Sequence, residues 1–495
     1  MLSFAALRDL ARIVKRGIPK RSQYISLSSL GDTSELTSRF FRALTDSTER
    51  SEQVISKTVF NVTTSDALYK SHKSQIKQQL LNSLFVLDLD EAGYSELTKR
   101  KHLNNRAAFL ASELVSLGPD ALAESIAEDG LREALEIEAW ANAMQFAAIL
   151  RYIATYAGHD EERRKYSEEY FRIEEIEHAE QRARDSYSEI ICAFTATGGE
   201  KYEMAEVAER AMPPLEESYA KHPTFGLANL RFLLKTAAFQ SRQNYRDSLS
   251  ACDEYKALLA GQFKRFANPD RLGELAYKRL VCLLQLGKYD NARKAAHECE
   301  TFVTYGANNW FHLQEYKFLL AMHTVRFEEA RTLFEEANRQ ERMKLLPEYS
   351  RERWRIFGIH LDVAQNRIPE FRSATELMKH LRIYSKDKGG FNASMLILQI
   401  LVLADRGKTN AISQRIDALN KYRARYLKDE GNAQASIFFY LLTLVGQNMP
   451  RIGAMLRDAE PLIQEFRSAT GPALDGIQIL PYEWLWDHLT AALLA

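Results

Sequence analysis

The sequence predicts an all-α fold made by repeating one helical hairpin. Three observations predict it. Turn signals recur at a spacing near 41 residues. Apolar residues between the turns recur at helical spacing. Only 12 prolines and 22 glycines interrupt 495 residues, which suits long helices joined by short turns.

The first 90 residues stand outside the repeat. A helix near 3–16 carries Phe4, Leu7, Leu10, Ala11 and Val14 on one face and stops at Gly17-Ile18-Pro19. Six basic residues in the first 23, against Asp9 alone, could suit a transit peptide. An amphipathic helix is the preferred reading, because no apolar stretch or small-residue cleavage site follows. Tyr24-Ile25-Ser26-Leu27 alternates as a short strand would. Helices near 33–45, 51–60 and 66–87 follow. The last has Leu68, Ile76, Leu80, Leu84 and Leu87 on its apolar face, with Lys70, His72, Lys73 and Lys77 on others.

From about 91 to 471 the chain reads as the repeat array. Its clearest unit runs through Leu286-Gly287-Lys288-Tyr289, then Ala292, Ala296 and Cys299. Gly287 can end the first helix in a left-handed conformation. Tyr289 fills the gap between the two helices. Ala292 and Ala296 share one face of the second helix and allow close approach. This unit resembles the tetratricopeptide pattern. The resemblance implies an α-solenoid of stacked hairpins whose first helices line a concave, ligand-binding surface. Comparable turns fall at 118, 158, 200, 243, 325, 366, 407 and 446. A single hairpin cannot bury its apolar face, so neighbours must stack to complete the core.

Beyond the array, Pro461 opens a helix and Gly471-Pro472 begins a looser stretch. Residues 472–495 read as a capping segment. Its helix starts at Pro481, and Trp484 and Trp486 should cover the open face of the last repeat.

The stretch from Tyr69 to Leu89 resembles a run in a bacterial group of uncharacterised helical-repeat proteins. There a Tyr/Lys-rich helix leads into an Asn-x-Leu-Phe-x-x-Asp segment, here Asn82 to Asp88. That resemblance implies a bacterial, cytoplasmic protein and brings no activity with it. The order of a helix-turn-helix sketch followed by an array is also similar to the layout of some bacterial transcription activators.

Composition narrows the function classes. Lys+Arg and Asp+Glu both total 66, so the chain is not a general binder of nucleic acid or anionic membranes. The runs Met395–Ala404 and Ile437–Val445 are shorter than the ~20 residues a bilayer requires, so no membrane insertion is expected. Cys192, Cys252, Cys282 and Cys299 form no Cys-x-x-Cys pair and read as buried thiols in a reducing compartment.

No phosphate-binding loop, nucleophile elbow or His-Glu-x-x-His motif occurs. Glu175 and His178 have the spacing of a di-iron ligand pair, but no second Glu-x-x-His accompanies them. With Glu174, Glu177 and Glu180 they read as a solvated face. His312 and His323 share a helix face but lie ~16 Å apart along it, too far for one metal ion. No enzyme activity, cofactor or metal is expected.

The expected function is therefore a protein-binding scaffold or adaptor. Its contacts to a protein or peptide partner should come from exposed first-helix positions: Tyr277, Gln285, His312, Glu315, His323, Arg353 and His360. The alternative is a transcriptional or signal-responsive regulator. Lys70, His72, Lys73 and Lys77 would then meet DNA, and nucleic acid would be a partner.

Overall fold

The computed structural model describes residues 3–17, 35–46, 51–87, 89–90, 94–118, 120–197, 201–367, 391–426, 433–469 and 478–494. Among these residues the fold is all-α, with no strand. The strand expected at Tyr24–Leu27, the turn residue Glu200 and the Gly471-Pro472 stretch lie outside them. Contacts divide the chain into two units, residues 1–177 and 178–495.

The first unit opens with α1 (Phe4–Gly17), α2 (Glu35–Thr45), α3 (Glu52–Phe60) and α4 (Ala67–Ser83). Leu7, Ala11, Val14, Phe40, Leu44, Ile55, Phe60, Ile76 and Leu80 share one core. Ser51 caps α3, Asn61 ends it at φ 57°, and Asp66 caps α4. One face of α4 differs from the sequence expectation. Leu68 is exposed, and its neighbour Tyr69 enters the core instead, with its hydroxyl donating to Glu52 at 3.0 Å. Then come α5 (Glu96–Leu117), α6 (Asp120–Glu136), α7 (Trp140–Ala157) and α8 (Asp160–Thr197), the last crossing the boundary between the units. Small residues let α5, α6 and α7 approach: Ala108, Ala111, Ala123, Ala127 and Ala143 are buried together. Gly130 belongs to the same contact, since a Cβ there would collide with the Phe146 ring.

The second unit continues with α9 (Lys201–Lys221), α10 (Phe225–Ser241), α11 (Tyr245–Ala260), α12 (Pro269–Gln285), α13 (Tyr289–Glu300), α14 (Asn308–His323), α15 (Phe327–Arg339) and α16 (Glu348–Ala364). After a gap in the described residues come α17 (Phe391–Asp405), α18 (Thr409–Tyr426), α19 (Ala433–Gln447), α20 (Ile452–Asp458), α21 (Glu460–Ser468) and α22 (Tyr482–Leu494). Helices pack on their chain neighbours in consecutive pairs, as in α10/α11, α12/α13, α14/α15 and α17/α18.

The turns share one construction. Gly118, Gly158, Gln243, Gly287, Val325, Asn366 and Gly407 all have positive φ. In six of these turns the next residue donates its N–H five residues back. The pairs are His159 to Ala154, Asn244 to Phe239, Lys288 to Leu283, Arg326 to Ala321, Arg367 to Asp362 and Lys408 to Leu403. This closes the orphan carbonyls at each helix end. Position 446 differs: Gly446 lies inside α19, and a Cβ there would stand 3.1 Å from Ile416 Cγ2. That glycine serves close packing, and the helix runs on to Gln447 before the chain turns.

Three further expectations are corrected. Cys192 is exposed, whereas Cys252, Cys282 and Cys299 are buried. Glu180 is buried rather than solvated, against the start of α10, where it lies beside Thr224 and Gly226. A Cβ on Gly226 would collide with its carboxylate. The final helix does more than cover the last hairpin. α22 packs on α17 as well as α19, and Trp484 meets Phe327 edge-on at 5.7 Å. The reason is α17 itself, which is predominantly apolar and buried on every side.

Candidate functional site: one face of α12, α14 and α16

Three successive first helices bring part of the expected set together. Tyr277 on α12 is half-buried and packs edge-on against Tyr316 on α14, with ring centroids 5.4 Å apart. Glu315, one residue earlier, is 2% exposed. Arg353 on α16 donates to it from Nη1 at 2.7 Å. His312, one turn before Glu315, holds its Nδ1 3.7 Å from the same carboxylate oxygen.

The electrostatics follow from that geometry. Burial raises the Glu315 carboxyl, but Arg353 and His312 outweigh it and hold the group below its usual range. Burial pushes the Tyr277 hydroxyl up, and the Glu315 charge adds to the effect. The result is a charged Glu315 under a partly accessible layer of Tyr277, Tyr316, His312 and Arg353. Such a layer can stack on a ligand and exchange hydrogen bonds with it.

The other expected residues lie elsewhere, and four of the seven are buried rather than exposed. Gln285 is 3% exposed at the end of α12. His323 is buried, with Nε2 2.8 Å from the Gln478 carbonyl and Nδ1 3.4 Å from the Tyr289 hydroxyl. His360 is buried and donates from Nδ1 to the Ile356 carbonyl at 2.9 Å. Burial pushes its imidazole down to about 4. Glu315, the fourth buried residue, still belongs to the cluster through its partners. Tyr316 is not among the expected residues, yet it lies about one turn-to-turn spacing beyond Tyr277, and that spacing is the signal for it in the sequence.

The lysines of the alternative reading divide. Lys73 pairs with Glu52 at 2.7 Å. His72 contacts Thr37 at 3.2 Å and packs on the Phe60 ring. Lys70 is exposed and Lys77 half-exposed. Among the described residues, no group of three or more His, Cys, Asp or Glu side chains is placed to hold a metal ion, and no helix is long and apolar enough to cross a membrane. No family model matches the chain, and no curated protein matches its sequence.

Proposed function

We propose that the chain is a non-enzymatic interaction scaffold or adaptor. In this reading it is a tetratricopeptide-like α-solenoid that holds a peptide or protein partner on its first-helix face. The observation that supports it most is the meeting of Tyr277, Tyr316, Glu315 and Arg353 across α12, α14 and α16. They come from three helices that are separate in sequence and occupy equivalent positions. Their chemistry suits recognition: two aromatic rings, a half-exposed imidazole and a guanidinium already oriented by a buried carboxylate. A partner segment lying across the three helices would stack on the rings and direct a carbonyl or carboxylate toward Arg353.

The test is affinity capture from the native host, read by mass spectrometry, with the intact chain and with Tyr277→Ala/His312→Ala. Arg353 is left in place because removing it would strand Glu315. A specific partner should be held by the wild type and weakened about tenfold or more in the variant, at unchanged helical content. Capture that survives the double variant sinks the proposed face. Capture that also disappears on deleting residues 1–90 would move the interaction to the N-terminal helices.

A further inference from the structure

The first hairpin after the N-terminal helices carries an apolar stripe that nothing in its own core uses. Leu103, Leu110 and Leu117 of α5 are 58%, 47% and 76% exposed. They repeat every seven residues, so they form one seam drifting slightly around the helix, as in a left-handed helix pair. The buried face of α5 lies elsewhere, on Asn104, Ala108 and Ala111. Leu122, near the start of α6, is 52% exposed. An end hairpin normally presents a polar outer face to water. Among the described residues, a leucine seam in that place is an exposed helix-packing surface.

Two charges flank the seam on the same side. Arg106 is half-exposed and Glu113 is exposed, and neither has an ion-pair partner in the chain among the described residues. They stand on opposite sides of Leu110 along the helix, four residues before it and three after. A two-fold axis through Leu110, perpendicular to α5, reverses the helix direction. It places Leu110 on its own copy and Leu103 on Leu117 of the other chain. It also places Arg106 beside Glu113 of the other chain, twice, because a two-fold contact uses each pair twice. The pattern is complementary to itself in both apolar spacing and charge. A parallel pairing would set Arg106 against Arg106 and Glu113 against Glu113, which opposes it.

We propose that α5 is a homodimerisation surface on which a second copy of this chain packs antiparallel about Leu110. The inference involves only residues of the first unit and does not depend on the proposed partner-binding face.

The test is sedimentation velocity on the full chain over a broad concentration range. The wild type should sediment at twice the chain mass and dissociate on dilution. Leu110→Asp should sediment at the chain mass with an unchanged thermal melt, since the position is outside the core. Arg106→Glu and Glu113→Arg should each raise the dimer Kd about tenfold or more, and the double reversal should return it to within about threefold of wild type. A wild-type chain that stays at monomer mass throughout overturns the proposal, including the case in which a different protein occupies the seam. So does a dimer indifferent to Leu110→Asp, or a double reversal no better than the single ones.

Discussion

Arg353 reaches from α16 to the Glu315 carboxylate on α14, and this 2.7 Å contact is what keeps a 2%-exposed acid ionised. The pair joins two successive first helices. Removing the cation alone leaves a buried charge with only His312 nearby. Arg353→Ala should therefore destabilise the second unit by about 3–5 kcal/mol, the cost of breaking a buried pair. Glu315→Gln with Arg353→Met should cost clearly less, because no uncompensated charge remains. Urea denaturation of the two variants measures both. Equal losses would mean that the pair contributes through packing rather than charge.

His360 sets a pH window. Its folded pKa is about 4, against an ordinary value of 6.5, because the burial of its ring disfavours the imidazolium. The unfolded chain therefore takes up the proton first. Stability is fully present above about pH 6.5 and falls as the pH drops toward 4, by about 3 kcal/mol in total. Glu315 is also displaced downward, by its cationic neighbours rather than by burial, so its contribution is present above the ordinary carboxylate range and is lost only as the pH falls below it. His360→Gln should flatten the pH 4–6.5 part of the stability profile and leave the more acidic part. An unchanged slope in that window would remove His360 as its source.

Val325 holds φ at 57° in the turn between α14 and α15, where the turns at 158, 287 and 407 place glycine. A β-branched residue is strained there, by roughly 1–2 kcal/mol. Its side chain is half-exposed, so little packing is lost on removal. Val325→Gly should raise stability by about 1 kcal/mol or somewhat less, the gain being partly offset by the greater freedom of the unfolded chain. A lower thermal midpoint in the variant would show that the Val325 side chain holds the turn in a way its exposure does not reveal.

Ala292 is fully buried where α13 closes on α12. Ala292→Arg must displace that contact or bury an unpaired guanidinium. The expected loss is about 3 kcal/mol or more. Calorimetry reporting a wild-type midpoint would contradict the close approach of these two helices.

The sequence by itself determined the elements that depend on local conformation. A residue that ends a helix with positive φ, followed by a restart a few positions later, is a short-range event, so Gly118, Gly158, Gly287 and Gly407 were legible. Even Gln243, Val325 and Asn366 could be placed, because the spacing pointed to them. The helical class and the pairing of neighbouring helices follow from the same signals.

Only the tertiary structure decided what each helix face meets. Gly446 looks like the other turn glycines in sequence, yet it is used for contact with Ile416. Glu180 sits in a run of acids that reads as solvated, yet it is buried against the start of α10. His323 and His360 occupy helical positions that periodicity marks as open. Gln478 and Tyr289 surround the first, and the Ser394 backbone, from the next described helix, joins the Ile356 carbonyl in holding the second inside. The physical reason is common to all four. Burial and pairing are set by segments distant in the chain, and a repeat period specifies where a helix turns without specifying which neighbour will cover it.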